Sequence, residues 1–170
     1  MPDATGLELI AQELRDASGE DAVLGTVFFR DKATLLIGAE AVPDTLEHLR
    51  GKGFGFLASV HGVDYFPEEP RLGVHYELLD MRAVDRITVK TRVHTESPHV
   101  PSVTPAWPTA DHQEREIFDL FGVVFDGHPD LRRILMPDDY EGHPQRRDFP
   151  MGGEPVLFTF NETNSPGWWK

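Results

Sequence analysis

The chain contains no cysteine. Disulfides, thiolate nucleophiles and cysteine-ligated iron–sulfur clusters are therefore excluded together. It has no long apolar run, so no transmembrane helix is expected. The start, Met1-Pro2-Asp3-Ala4-Thr5, has neither the basic nor the apolar region of a signal peptide. The sequon Asn161-Glu162-Thr163 then carries no weight, and a cytoplasmic location is the default expectation. Positive charge is also scarce: 16 Lys and Arg against 29 Asp and Glu give a net charge of −13. Phosphate backbones need clustered basic side chains, so nucleic acid is disfavoured as a partner, and so is electrostatic docking on anionic lipid. What is present is ordinary for one soluble domain with a real core: 170 residues, 39% of them hydrophobic.

Hydrophobic periodicity divides the chain. Leu7, Ile10, Ala11 and Leu14 fall at i, i+3, i+4 and i+7 and predict a helix. Thr5-Gly6-Leu7-Glu8 reads as its capping box and Ser18-Gly19 as its end. Segments 22–30 and 33–37 are rich in Val, Phe, Leu and Ile and predict a β-hairpin with Asp31-Lys32 between its strands. Pro43-Asp44-Thr45 opens a second short helix with Leu46 and Leu49 inward, stopped by Gly51 and Gly53. Strands are expected over 54–66, 72–81 and 87–93. In the last, Ile87, Val89, Thr91 and Val93 alternate with charged or polar residues, which predicts one buried and one wet face. The order of helix, two strands, helix and three strands describes an α+β fold with a largely antiparallel or mixed sheet.

Three regions follow. Residues 1–94 form the α+β domain. Residues 95–121 are a proline-broken loop and a short helix packing on it, with Asp111 as the expected N-cap. Residues 122–170 are an extended arm. About a quarter of the arm is Gly or Pro, yet Phe125, Tyr140, Phe149, Phe158, Phe160, Trp168 and Trp169 are spaced along it. Such a segment orders against another surface rather than staying free.

The candidate chemistry is sparse. Glu114 shares a helical stripe with Ile117, Phe118 and Phe121, and a carboxylate beside that much apolar surface needs a partner. Its readings are a docking or catalytic acid, or an ion pair with an arginine of the arm. Arg115 and Asp119 stand at i, i+4 on what is expected to be the outer side. Arg132-Arg133 and Arg146-Arg147 suit carboxylates or exposed carbonyls, either on a partner protein or within the arm. Gly127-His128-Pro129 and Gly142-His143-Pro144 read as two similar turns rather than metal ligands. Gly51-Lys52-Gly53-Phe54-Gly55 follows a helix and precedes a strand, the reverse of a dinucleotide-binding turn. No nucleophile–base pair is evident, and no catalytic, cofactor-binding or metal residue is assigned.

The segment 114–135 resembles the thirty-kilodalton subunit family of respiratory complex I, the NADH–quinone oxidoreductase. The resemblance rests on Glu114-Arg115-Glu116, Asp119, His128, Arg132 and Ile134-Leu135. It continues through Met136-Pro137-Asp138-Asp139-Tyr140, Gly142-His143-Pro144 and Arg146-Arg147-Asp148-Phe149-Pro150. Upstream, Pro101-Ser102-Val103-Thr104, Trp107, Val74-His75-Tyr76 and the alternating strand 87–93 also fit. One departure is His112, where an aromatic side chain is expected.

The resemblance implies a cofactor-free structural and assembly subunit of the hydrophilic arm of a proton-pumping NADH–quinone oxidoreductase. Flavin and iron–sulfur clusters are expected in partner subunits. The chief partner is the large subunit that forms much of the quinone cavity, with the C-terminal arm wrapping around it. The implied location is peripheral, on the cytoplasmic side of the inner membrane. A hinge or partner-interface role is expected for Glu114, Arg115, Glu116, Asp119, His128, Arg132, Arg133, His143, Arg146 and Arg147. Two alternatives stand beside it. One is the equivalent subunit of a complex with another donor, such as a reduced-deazaflavin dehydrogenase, a photosynthetic-type complex or a membrane-bound hydrogenase. The other is a free-standing metal or acid–base enzyme using His128, His143 and Asp138-Asp139.

Overall fold

The computed structural model describes residues 3–150. The sequon and the aromatic residues from Phe158 onward lie outside them. Helix α1 (Ala4–Ser18) buries Leu7, Ile10, Ala11 and Leu14, the stripe expected from periodicity. Its N-cap is Asp3, whose Oδ1 accepts the Gly6 amide at 2.7 Å. Thr5 instead lies inside the first turn. Both residue types can cap, and the chain uses the earlier one.

Strands β1 (Val23–Phe29) and β2 (Lys32–Ile37) form the hairpin. The turn is Arg30-Asp31, both at positive φ, so Lys32 already belongs to the strand. Helix α2 (Val42–Gly51) buries Leu46 and Leu49, and Gly53 at φ +110 turns the chain into β3 (Phe56–Asp64). Strands β4 (Leu72–Asp80) and β5 (Asp85–Val93) complete a sheet of order β1-β2-β5-β4-β3. Within this sheet only β2 and β5 run parallel, because α2, β3 and β4 intervene between them.

Helices pack on one face of this sheet. That face carries Leu35, Ile37, Leu72, Val74, Tyr76, Leu78, Ile87 and Val89, all essentially without solvent contact. The core continues into Val100, Val103, Trp107, Ile117 and Phe125, so the proline-broken loop is part of it. The loop also leads into two short strands that periodicity did not show. They are β6 (His99–Pro101) and β7 (Val124–Asp126), paired in parallel. Between them runs α3 (Asp111–Phe121). Its N-cap is Ala110, not Asp111, because a turn of 3-10 helix (Pro108–Ala110) feeds directly into it. His112 is exposed, so its departure from the family pattern disturbs no core packing.

Two contacts seat α3 on the edge strand β3. The Gln113 side-chain carbonyl accepts the Val60 amide, covering an otherwise open ladder group. The Phe121 ring lies on Gly62, where a Cβ would stand 2.6 Å from Phe121 Cδ2. Gly62→Ala should therefore lower stability by about 1–3 kcal/mol, the usual range for overpacking. In a Phe121→Ala background the same substitution should cost almost nothing. Urea denaturation of the four variants measures this; equal costs in both backgrounds would show that the ring does not set the constraint.

Candidate functional site

Helix α3 carries two wholly buried carboxylates on different sides. Glu114 faces the domain and Asp119 faces the arm. Burying either without donors would be costly, so the surrounding chain is shaped to supply them.

Glu114 finds no arginine. Its Oε2 accepts the Ser102 hydroxyl at 2.6 Å and the Thr104 hydroxyl at 3.1 Å, and its Oε1 accepts the Val103 amide at 2.8 Å. His128 Nε2 approaches Oε2 at 3.9 Å. The expected ion pair with the arm is thus replaced by the loop 102–104, for which the chain lays Ser-Val-Thr across the helix face. Burial raises the Glu114 carboxyl above its ordinary range, outweighing Ser102, Val103, Thr104 and His128, which favour the charged form.

Asp119 is not the outer half of a surface pair with Arg115. Its Oδ2 accepts three consecutive amides, Ile134 at 3.0 Å, Leu135 at 2.7 Å and Met136 at 2.8 Å. Its Oδ1 accepts Arg133 Nη1 at 2.6 Å. Burial pushes this carboxyl up, but the Met136, Leu135 and Ile134 amides and the Arg133 guanidinium prevail and hold it at about 2. Helical i, i+4 spacing pointed to Arg115, but the arm folds back over this side and supplies stronger partners. Arg115 instead donates to the carbonyls of Arg132 and Arg133, both at 3.3 Å.

The arm also completes the C-terminus of α3. A helix leaves its last carbonyls unpaired. Here Phe118 O accepts the Gly122 amide, Asp119 O accepts Arg133 and His143 Nδ1, Leu120 O accepts the Gln145 amide, and Phe121 O accepts Arg146 Nε. Gly122 stands at φ +76, with His143 and Arg146 packed where a side chain would begin. The two Gly-His-Pro segments act at opposite ends of the helix. His128 Nε2 meets Asp111 O at 3.3 Å, and His143 Nδ1 meets Asp119 O at 3.0 Å. Gly127 and Gly142 both take positive φ, so the segments are similar turns. About two helical turns separate the carbonyls they reach, so the imidazoles do not converge. Among the described residues, no three His, Asp or Glu side chains group as metal ligands.

A second tie escaped the sequence. Arg71 is buried at the start of β4 and pairs with Asp64 at 2.7 Å and with Asp148 of the arm at 2.6 Å. Arg147 donates its amide to Asp64 at 2.7 Å and its guanidinium to Phe66 O at 3.0 Å. A lone arginine opening a strand in so acidic a chain was the available signal. Arg133 bridges Asp119 to the carbonyls of Tyr140 and Gly142. Arg132 remains largely exposed, paired with Asp130 at 2.8 Å. Glu116 is exposed beside a hollow of about 230 Å³ between β3 and α3, which His61 and Gln145 also line. The structure thus brings Glu114 near His128, and sets Arg133 on the Asp119 carboxylate with His143 and Arg146 on the helix carbonyls beside it, while Arg115 holds the backbone of Arg132 and Arg133. Arg147 joins Arg71, while Glu116 and Arg132 stand outside both clusters.

The two carboxylates should answer substitution in opposite ways. Asp119→Asn removes a charge that four donors favour and should cost about 3 kcal/mol at neutral pH. Glu114→Gln replaces a carboxylate that burial disfavours and should cost under about 1 kcal/mol. Holding Asp119 at about 2 rather than 3.8 contributes about 2 kcal/mol above pH ~4, lost as pH falls toward 2. Glu114, shifted up, acts with the opposite sign, favouring the fold at low pH and losing that contribution as pH rises through its folded value. Denaturation of both variants against pH measures this. Equal costs at pH 7, or a wild-type acid limb in Asp119→Asn, would contradict it.

Residues 35–155 match the family described as respiratory-chain NADH dehydrogenase, 30 Kd subunit. An NADH-quinone oxidoreductase subunit of Roseiflexus sp. is 45% identical over 90% of this chain and 89% of its own length. Among solved structures, Nqo5 as its trypsin-resistant fragment 1–134 is 36% identical, covers 74% of this chain and 98% of its own, and superposes with a TM-score of 0.59. A chain of the membrane-bound sulfane sulfur reductase, an archaeal respiratory membrane complex, is 26% identical over 85% of each chain, with a TM-score of 0.69. The matched segment takes in the sheet from within β2 onward, the loop that holds Glu114 and the arm that holds Asp119. This protein belongs to the family of the 30 Kd subunit of respiratory-chain NADH dehydrogenase.

Proposed function

We propose that this chain is a structural and assembly subunit of the hydrophilic arm of a proton-translocating NADH–quinone oxidoreductase, itself binding no flavin, cluster or metal. The observation that carries this reading is the use made of the charged residues. Glu114, Asp119, Arg133, His143 and Arg146 are engaged in fastening helix, loop and arm to each other. A carboxylate held near 2 by four donors is poorly suited to proton transfer near neutrality. The chemistry therefore belongs to other subunits, and this chain contributes shape and surface. Electron transfer from NADH to quinone proceeds beside it.

No helix among the described residues is long and apolar enough to cross a membrane. Attachment to the membrane is through the complex, on its cytoplasmic side. The chief partner is the large subunit bordering the quinone cavity, which the C-terminal arm contacts. A donor other than NADH is the weaker reading, since the 45% identical relative carries the NADH–quinone name and the archaeal sulfane sulfur reductase stands at 26%.

Native pull-down from membranes tests the assignment; recovery of the chain without other oxidoreductase subunits would reject it. Arg132→Glu should leave the fold intact, because among the described residues its side chain pairs with its near neighbour Asp130, yet lower the amount of assembled complex. Turnover per assembled complex should be unchanged, and normal assembly with slow turnover would reverse this ordering. Limited trypsin digestion gives a third readout. The isolated chain should be cut first after the exposed Arg132 and Arg147, and partner subunits should slow both cuts. Equal rates with and without partners would remove the docking role of the arm.

A further inference from the structure

The face of the sheet opposite the helices has its own composition. Strand register lays it out in rows. Gly25, Leu36, Lys90, His75 and His61 form one row, and Val27, Thr34, Thr88, Glu77 and Ser59 the next. Phe29 beside Lys32 and Arg86-Leu79-Phe56 form a third, with Arg92 beside Gly73 at the far end. These rows hold Lys32, Arg86 and Lys90 against one carboxylate of their own, Glu77, which accepts the Thr88 hydroxyl at 2.9 Å, while Arg92 at the far end is already paired with Glu68 at 3.6 Å and lies over the Tyr65 ring. The remaining apolar side chains are not packed away: Val27 is 45% exposed, Phe29 63% and Phe56 50%.

The opposite side of the molecule has the reverse character. Helices α1 and α2 carry five carboxylates against two arginines. The charge of −13 is therefore unevenly spread, and the sheet face is a basic and apolar surface on an acidic protein. A polar wet face of a sheet needs no exposed phenylalanines at both margins, and large exposed apolar residues grouped with one sign of charge mark an interface.

We propose that this sheet face docks a second subunit of the same complex, through a partner surface that sets Asp and Glu side chains among aliphatic ones. The inference rests on the reading of the chain as a complex subunit. It assigns a face distinct from α3 and the arm, so the chain is held from two sides. Complementary charge selects and orients the partner, while burial of Val27, Phe29 and Phe56 supplies the contact.

The test uses the complete chain in its native complex. Lys90→Glu and Phe29→Asp alter half-exposed and exposed side chains, and Arg15→Glu on α1 matches the charge change of Lys90→Glu and exceeds that of Phe29→Asp, so it controls for both. Thermal melting of each purified variant first establishes folding. Folded Lys90→Glu and Phe29→Asp chains should each be recovered in the complex at a level lowered about tenfold, with Arg15→Glu unchanged. A photo-crosslinking residue at position 29 should then capture an acidic segment of another subunit. Wild-type recovery of both sheet variants would overturn the proposal. So would cross-links from position 29 to residues 151–170 of the same chain or to a second copy of it. If Lys90→Glu or Phe29→Asp does not fold, the cross-link in otherwise unaltered protein decides alone. Failure of the wild-type chain to enter the complex would overturn the functional reading and this inference together, whereas normal wild-type entry with unaffected variants overturns the inference alone.

Discussion

Asp119 has no contact with solvent, and a carboxylate so placed must be met by donors from its own chain. The donors come from the arm: three successive amides at Ile134, Leu135 and Met136, and the guanidinium of Arg133. This one requirement fixes the path of residues 133–136 across α3. The path then sets Arg133 against the carbonyls of Tyr140 and Gly142, which shapes the following turn. That turn delivers His143, Gln145 and Arg146 to the three terminal carbonyls of the helix. A segment without regular secondary structure is thereby given one conformation by a helix end and a buried charge.

The two carboxylates of α3 divide the labour by their surroundings. Hydroxyls and one amide hold Glu114, and such neutral donors compensate burial incompletely, so its carboxyl is displaced upward. Asp119 has a guanidinium as well as amides and is displaced downward. The first joins helix to loop with a partner set that tolerates a neutral side chain. The second joins helix to arm and depends on the negative charge. Arg71 repeats the second pattern at the sheet's end, where Asp64 and Asp148 both lie on one guanidinium.

Local periodicity revealed what local physics decides. The stripe of α1, the hairpin, the inward leucines of α2 and the alternation of β5 were all legible, because burial of one face imposes a period on the sequence. The caps were misplaced by small steps: Thr5 for Asp3, since either polar residue can serve, and Asp111 for Ala110, since a turn of 3-10 helix runs straight into α3 and leaves no side-chain cap. The parallel pairing of β2 with β5 was not readable, because sheet order depends on contacts far apart in sequence. The same limit applied to the site. Glu114 was singled out by lying on an apolar stripe, yet its partners in the loop 102–104 could not be named from spacing. Asp119 was paired with Arg115 by helical arithmetic, which sees only the helix and not the arm folded over it. Arg71 belongs to no motif, and only its place just before a strand in an acidic chain marked it. The family resemblance drew attention to Glu114, Asp119, Arg133, His143 and Arg146, and the structure supplies a physical reason: they bind helix, loop and arm into one unit.

Amide hydrogen exchange on the complete chain at neutral pH tests this fastening most directly. The amides of Ile134, Leu135 and Met136 lie in an arm without regular secondary structure, so only their bonds to Asp119 can slow their exchange. They should be protected to a common degree, together with the amide of Gln145 bound to Leu120 O. Exchange of all four at the rate of an unstructured peptide, with α3 itself protected, would contradict the fastening of the arm by Asp119.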